Sequence, residues 1–388
     1  MNSSVTNVIS TNSAERIAEA VAASAGPILP VGARTKPALS CSDGRTTRLD
    51  MRSLSGIVSY DPSEFLISAQ AGTPLTEMQA ALDNERQYLP FDPLFISQGA
   101  TLGGTVASGL SGAGRLLYGS LRDFVMEVQL VDGLGKLVRG GGKVVKNAAG
   151  FDLPKMVCGS YGRLGVLTEI TLKVFPRPSA GATLVAQAAN LSDAISAAQE
   201  LLSQPLPISS LDLQFDRSGS VQLLARMAAH SDSLPDVLRR AEAACRLPSE
   251  RIGESMREQQ LWHERAAVLE RLSSSTAKQL VRIATTLPVL VQLAPALLAL
   301  PDAELNSTGG GSVVWLSLPG DSDLAELDQL LKSLMLPAIT VCAPDTDANI
   351  NLRPLGDRKW LAVAQRIQHA LDPQQKFVPF LIGDRSDR

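Results

Sequence analysis

Three stretches of this 388-residue chain concentrate residues that expose backbone rather than side chain. The first is Pro30–Val31–Gly32–Ala33–Arg34–Thr35–Lys36, directly after a short apolar run. The second is Gly99–Ala100–Thr101–Leu102–Gly103–Gly104–Thr105–Val106–Ala107–Ser108–Gly109, continuing to Ser111–Gly112. The third is Cys158–Gly159–Ser160–Tyr161–Gly162–Arg163–Leu164–Gly165–Val166. A diphosphate is compact and doubly charged, and several backbone N–H groups directed at one spot bind it well. Glycine supplies the φ angles and the close approach that such convergence needs. The hydroxyls of Thr35, Thr101, Thr105, Ser108 and Ser160 are further donors, and Arg34 or Lys36 would offset the charge. Taken singly, each stretch reads as a turn; interleaved with strands, together they read as a phosphate cradle.

Other chemistries are poorly supplied. There is no G-x-G-x-x-G in a strand-to-helix position near the N-terminus and no G-x-x-x-x-G-K-[ST], so ordinary dinucleotide and P-loop folds are disfavoured. The cysteines, Cys41, Cys158, Cys245 and Cys342, lie far apart with no C-x-x-C pair. That argues against an iron–sulfur cluster or zinc ribbon built within the chain and suggests a reducing compartment. Cys158 reads as a buried thiol. The histidines are His230, His263 and His369, all in the second half. With net charge −3 and no basic block, the chain has no footprint for nucleic acid.

The elements that must position these segments change character along the chain. Glycines crowd between Gly99 and Gly165, and Pro176 and Pro178 follow the strand pattern Val166–Phe175. A boundary there divides the chain into residues 1–178 and 179–388. In the first part, Ser13 is a helix N-cap candidate, Ile28–Val31, Gly56–Ser59 and Leu66–Ala69 read as strands, and Thr76 opens a helix running towards Glu85. Phe124–Val131 and Lys136–Arg139 flank a hairpin loop at Asp132–Gly135. The second part alternates strand and helix: Ala182–Ala188, Leu191–Leu202, Leu211–Phe215 with Val221–Met227, Leu234–Cys245, an amphipathic helix Arg251–Leu272, then a second series from Val281 to Cys342. Two βαβ-like passages suggest a ferredoxin-like α+β cap. Arg358–Leu371 is a last helix, stopped at Asp372–Pro373. The apolar stretch Leu287–Pro301 is short of a membrane span and reads as a strand-to-helix passage, and the polar N-terminus lacks the features of a secretory signal.

The combination GTPL, GG-x-V-A, SLRDF, KN-x-A-G-x-D-L and GSYG-x-LGVLTEI, spread from about Pro30 to Pro178, resembles the FAD-binding domain of the vanillyl-alcohol-oxidase or PCMH-type flavoproteins. Within that family it is most similar to the FAD-binding subunits of bacterial glycolate oxidase. The resemblance implies an α+β chain: a two-subdomain PCMH-type FAD-binding domain at 1–178 and a C-terminal cap at 179–388. It implies FAD as cofactor, gripped by Gly32, Ala33, Arg34, Thr35, Lys36, Thr101, Gly103, Gly104, Ser108 and Gly109, with Ser160, Gly162 and Val166 bordering the adenosine side. Family members often tether FAD to a histidine. None lies in the first domain here, so non-covalent binding is expected. Asp152 is either a loop cap or a cofactor contact.

Catalysis is less legible. Oxidation of a 2-hydroxy acid needs a carboxylate clamp and a proton acceptor. Catalytic relatives carry paired histidines in the cap that also serve metal binding. Here Asp345–Thr346–Asp347–Ala348–Asn349 occupies a comparable place without histidines, and no metal is expected. His230 and His263 read as helix residues without catalytic roles, and His369 likewise. Arg353 is an anion candidate with an ordinary salt-bridge alternative. The closing LDPQQKFVPF keeps Asp372, Pro373, Phe377 and Pro379 of the family's closing pattern but has Val378 and Phe380 where Asn and Gly are usual. The resemblance implies a complex oxidising glycolate to glyoxylate, with a paralogous FAD-containing catalytic subunit and an iron–sulfur subunit that receives electrons. The alternatives are a self-sufficient FAD-dependent 2-hydroxy-acid dehydrogenase, or a structural subunit that has lost FAD. The expected location is cytoplasmic, touching the inner face of the plasma membrane only through the complex.

Overall fold

The computed structural model describes residues 8–41, 45–142, 152–216, 219–253, 256–274, 278–344, 352 and 354–380. The chain runs β1 (Val8–Ser10), α1 (Ala14–Ala23), β2 (Ile28–Val31), β3 (Thr47–Asp50), β4 (Ile57–Asp61), β5 (Leu66–Gln70), α2 (Leu75–Asn84), β6 (Gln87–Tyr88), α3 (Leu102–Ser108) and α4 (Arg115–Tyr118). It continues β7 (Val125–Val131), β8 (Leu137–Gly141), α5 (Leu153–Val157), β9 (Val166–Lys173) and β10 (Phe175–Pro176). Three sheets carry this part: a parallel one ordered β1-β3-β2, an antiparallel one ordered β4-β5-β9-β7-β8, and a two-stranded antiparallel pair β10-β6. The strand β9 sits centrally because its residues are apolar on both faces. Val166, Ile170 and Leu172 are fully buried, and Leu167, Thr168 and Thr171 are nearly so.

Beyond Pro178 the chain enters a second sheet system. Its elements are β11 (Ala180–Ala188), α6 (Leu191–Ser203), β12 (Ile208–Phe215), β13 (Val221–Ala229), α7 (Leu234–Cys245), β14 (Ser249–Ile252) and α8 (Met256–Ser274). Then follow β15 (Lys278–Ala284), α9 (Leu290–Leu298), β16 (Glu304–Thr308), β17 (Val313–Pro319), α10 (Ala325–Ser333), β18 (Pro337–Cys342), β19 (Pro354–Gly356) and α11 (Trp360–Leu371). The nine strands form one antiparallel sheet ordered β14-β11-β13-β12-β16-β17-β15-β18-β19. Its halves, β11–α6–β12–β13–α7–β14 and β15–α9–β16–β17–α10–β18, are each a complete βαββαβ unit with the ferredoxin-like strand order. They join edge to edge through β12 and β16.

Period-2 alternation decides what each face of this sheet touches. On β17, Val314, Leu316 and Leu318 pack under the helices, while Val313 and Trp315 join the core of the first lobe. The same division separates Val281 and Ile283 from Leu280, and Ala338 from Ile339 and Val341. One face of the cap sheet therefore lies directly on the flavin-type lobe. The chain's end also returns there: Ile28 and Val378 exchange backbone hydrogen bonds with Lys376 and Ile28 carbonyls at 2.6 and 3.1 Å. Asp372 accepts from the N–H groups of Lys376 and Phe377, both at 2.8 Å, and fixes the turn before that pairing.

Several sequence readings shift. The helix expected from Arg251 begins at Met256, because Ser249–Ile252 pairs with β11 as an edge strand and Gly253 follows it. Leu287–Pro301 contains no strand: a 3-10 turn at Leu287–Val289 leads straight into α9. His230 precedes α7 rather than lying on it, and its carbonyl accepts from Ser233 and Leu234. Ser13 occupies the N-cap position, but its hydroxyl bonds Glu15 instead of capping a backbone N–H. Among the described residues no helix is long and apolar enough to cross a membrane.

Candidate functional site

The loop Gly32–Lys36 leaves the carboxyl end of β2 and turns at Arg34, which adopts a left-handed φ of 54°. Thr101 caps α3, its hydroxyl accepting the Gly104 N–H at 3.3 Å. The third segment is stitched to α3 by two backbone bonds: Gly159 N–H to Val106 carbonyl (3.2 Å) and Tyr161 N–H to Ala107 carbonyl (2.8 Å). The three glycine-rich segments thus close around one groove. Gly32, Ala33, Arg34, Thr35, Lys36, Thr101, Gly104, Ser108 and Gly162 line it, and Gly103 and Ser160 border an adjoining hollow. Tyr161, Ala107 and Pro30, which lie in the same segments but outside the expected cofactor contacts, complete the walls.

Two expected residues lie elsewhere. Gly109 ends α3 in a left-handed conformation (φ 65°) and packs against Gly159, where an added Cβ would sit 3.0 Å from the Gly159 nitrogen. Val166 is fully buried within β9, paired with Val131. Both hold the segments in place without reaching the groove.

The groove suits a diphosphate. Among the described residues the N–H groups of Ala33, Arg34 and Thr35 make no hydrogen bond, so the loop presents open donors. By contrast, the first N–H groups of α3 are committed, Leu102 to the Thr73 carbonyl (2.9 Å) and Gly103 to the Ala71 carbonyl (2.7 Å). Gly103 therefore serves the packing of α3 on Ala71, where its Cβ would lie 2.8 Å from that of Ala71, and Gly104 is the glycine of the pair that lines the groove. Lys36 is 8% exposed, and its ammonium donates to the Thr35 hydroxyl at 2.9 Å. Burial pulls its pKa down to about 8, with the Cys342 thiol acting slightly the other way. Among the described residues no carboxylate neutralises it, which leaves its charge for a ligand. The ammonium also stands 5.0 Å over the Phe95 ring.

Phe95 leads to a second space. Its neighbours Leu94 and Ile96 form part of the wall of a cavity of about 260 Å³ between the two lobes. The first lobe contributes Tyr88 and Asp92, the cap sheet Asp212, Arg226, Asn306 and Trp315, and α8 supplies Trp262, His263 and Arg265. Each arginine there is committed: Arg177 to Asp83, Arg226 to Glu258 (2.9 Å) and Arg265 to Asp212 (3.3 Å). Asp92 has no such partner; it accepts the Gly114 N–H at 2.7 Å. Burial pushes its pKa up to about 6, against the pull of Arg226 and with a smaller push from Asp212.

Sequence reasoning missed this wall because its members lie scattered between residues 79 and 315 and share no motif. Of the histidines, His263 borders the cavity, while His230 is exposed and His369 lies on α11. Cys158 donates to the Pro154 carbonyl, and burial raises its pKa to about 12, which suits a structural thiol. Asp152 caps α5, accepting the Lys155 N–H at 3.2 Å. The run 345–349 and Arg353 lie outside the described residues, as does all of KN-x-A-G.

Comparison with known proteins now bears on this geometry. Residues 5–141 match the family described as FAD binding domain. Glycolate oxidase subunit GlcE of Escherichia coli (strain K12) is 50% identical over 163 residues, 42% of this chain and 46% of that protein. D-lactate dehydrogenase of Anaerostipes hadrus is 33% identical over 187 residues, 48% of this chain and 39% of its own. Glycolate oxidase subunit GlcD of Bacillus subtilis (strain 168) is 28% identical over 48% of this chain and 40% of its own. The matched region spans less than half the length of each of these relatives. Among solved structures, alkyldihydroxyacetonephosphate synthase aligns with a TM-score of 0.70 at 17% identity, over 96% of this chain and 75% of that one. That is a likeness of fold, and it extends through the cap.

Proposed function

We propose that this chain, an FAD-binding flavoprotein of the PCMH-type fold, works as a flavin subunit of a complex that oxidises a small 2-hydroxy acid such as glycolate to the corresponding oxo acid. The observation that carries the reading is the groove: three separate segments close on one site whose loop offers unbonded N–H groups and a buried, unneutralised lysine. FAD, bound there, supplies acceptance of a hydride and its passage onward as electrons. The Ala33–Thr35 backbone and Lys36 hold the diphosphate, Gly104 lets it approach, and Pro30 and Gly162 flank it. The cap sheet and α8 cover the space beyond Phe95.

The partners that this reading calls for are a paralogous FAD-containing subunit, as the likeness to GlcD supports, and an iron–sulfur subunit that takes the electrons away. Four dispersed cysteines leave this chain to depend on another for such a cluster. Cytoplasmic residence, with membrane contact through the complex, belongs to the same proposal. A second reading, in which this chain alone oxidises the acid, draws on one observation: a cavity of about 260 Å³ is ample for a two- or three-carbon acid. An absorbance spectrum of the purified chain decides. Flavin peaks that stay oxidised with glycolate, but bleach once the paralogous subunit is added, are the expected result. Bleaching of the chain alone favours the second reading, and a colourless protein that binds no added FAD overturns both.

A further inference from the structure

We propose that α8 is a lid: it lifts from the cap sheet as an intact helix and opens the space between the lobes, and polar latches rather than apolar packing hold it shut. The inference takes from the reading above only that the chain carries FAD, and it does not depend on which substrate is oxidised.

The argument starts from what α8 buries. On the opposite face of the cap sheet, α6 and α7 are anchored by apolar side chains, among them Ile195 and Leu201 on α6 and Val237 and Leu238 on α7. With 19 residues α8 is longer than either, yet among its described side chains Leu269 alone belongs to a core, and Glu258 is the one other that is buried. Trp262, Ala266 and Val268 are half-buried and face the space between the lobes. Lifting α8 takes one leucine out of a core, where lifting α6 or α7 would expose five buried side chains. The helix also forms the link from β14 to β15, so its movement breaks no strand pairing.

What holds α8 down is polar along its length. Near its start, the Thr183 hydroxyl on β11 donates to Glu258 and accepts from Trp262 Nε1 at 2.8 Å. In the middle, Arg265 reaches Gln214 at 2.9 Å and Asp212 at 3.3 Å. Towards its end, Glu270 accepts from the Ser97 N–H at 3.4 Å and from the Ser97 hydroxyl, while the Gln98 amide donates to the Glu270 carbonyl. Ser97 and Gln98 belong to the flavin-type lobe, so this last latch bridges the two lobes. Such bonds exchange for bonds to water on opening at small net cost, whereas apolar burial has no replacement there. The middle contact even favours opening in part. Asp212 Oδ1 and Arg265 Nε are shut off from solvent and make no hydrogen bond among the described residues. Burial pushes the Asp212 pKa up against the pull of Arg265. Opening wets both groups, which offsets part of the attraction lost between them.

The test is the alkylation rate of single thiols in the FAD-loaded chain by N-ethylmaleimide, followed peptide by peptide by mass spectrometry. Ala266→Cys places a thiol under the lid, and Glu264→Cys places one on the exposed side of the same helix as the reference. The thiol at 266 should react about tenfold more slowly than the one at 264. Two variants loosen different latches: Glu270→Ala frees the far end, and Thr183→Val keeps the shape of β11 while removing the hydroxyl that holds Glu258 and Trp262. Each should speed alkylation at 266 about threefold or more, the worth of one net hydrogen bond, and leave 264 unchanged. Cys245 on α7, buried beneath the opposite face of the sheet, should stay protected throughout. Equal rates at 266 and 264 overturn the proposal, as does a rate at 266 that neither variant alters. A rise at 266 matched at Cys245 overturns it too, because the chain then opens by unfolding. If one variant does not fold, the other still decides. Latch-controlled alkylation in a chain whose complex oxidises no hydroxy acid would sink the functional reading and leave the lid standing.

Discussion

Gly32 and Thr101 touch across the mouth of the groove so closely that a Cβ built on Gly32 would lie 2.2 Å from the Thr101 hydroxyl oxygen. That one contact couples the loop after β2 to the cap of α3. Gly32→Ala must therefore push Thr101 away from the Gly104 N–H and distort the groove, although the backbone at 32 needs no left-handed angle. FAD affinity should fall at least tenfold, about 1.4 kcal/mol or more, with the melting temperature of the FAD-free chain lowered by only a few degrees at most. The flavin-to-protein absorbance ratio after gel filtration measures the first and a thermal melt the second.

Lys36 makes two opposite pH effects. In the FAD-free chain its pKa is depressed to about 8, below the ordinary value of 10.5, so the unfolded state binds more protons between those limits. Stability contributed through this residue accordingly rises as pH climbs from about 8 to 10.5, and is lowest below 8, where the charge is buried uncompensated. FAD affinity runs the other way, because the diphosphate prefers the ammonium form, and it should weaken above about pH 8. Lys36→Met should flatten both profiles, raising the stability of the empty chain at neutral pH while lowering its affinity for FAD. Fluorescence quenching of FAD and thermal melts across that range check the pair. Parallel profiles in wild type and variant would contradict the assignment.

Why the groove was legible in the sequence and the cavity was not follows from how each is built. Gly32–Lys36, Thr101–Ser108 and Ser160–Gly162 act through backbone, and backbone exposure leaves a mark on composition that survives without knowing the fold. Gly109 and Val166 sit inside the same marked segments, yet they hold the segments together instead of lining the groove. The cavity is made by side chains such as Asp92, Asp212, Arg226 and Trp315, brought together by the cap's strand order. The two ferredoxin-like halves could be sensed from alternating strands and helices. Their edge-to-edge joining through β12 and β16, a pairing of residues about 93 apart, could not. The strand at Ser249–Ile252 was hidden for a related reason: its charged, exposed residues read as the start of a helix, and only an open edge of β11 made them a strand.

Arg163 predicts a stability effect unconnected to charge pairing. It is wholly buried, and its guanidinium donates to the carbonyls of Leu39 (3.1 Å), Tyr161 (2.7 Å) and Pro379 (3.2 Å). Its own carbonyl accepts from Gln368 Nε2 at 2.9 Å. One side chain therefore ties the third glycine-rich segment, the turn after the groove loop and the segment at Pro379 together. Arg163→Met keeps volume but strands three carbonyls, and should cost about 3 kcal/mol or more. Thermal or urea unfolding reads this directly, and increased proteolysis near residue 380 should accompany it. A loss below about 1 kcal/mol would mean that the β2 pairing, Asp372 and Gln368 hold this segment without Arg163.

Glu258 offers the sharpest probe of the cavity's charge balance. It is 3% exposed and receives Arg226 Nε at 2.9 Å, Arg226 Nη2 at 3.1 Å and the Thr183 hydroxyl at 2.9 Å. Glu258→Gln keeps the shape and the Thr183 bond but removes the carboxylate that neutralises Arg226. Breaking a buried pair usually costs about 3–5 kcal/mol. Arg226 is about a third exposed, so about 2 kcal/mol is the expected loss here. The freed guanidinium would then act more strongly on the Asp92 carboxylate, whose titration it already lowers. That titration should move down from about 6, which carbon-13 NMR of the Asp92 carboxyl across the pH range checks. An Asp92 titration that stays at about 6 in a variant that still folds would show that Arg226 reaches Asp92 no better without its bond to Glu258.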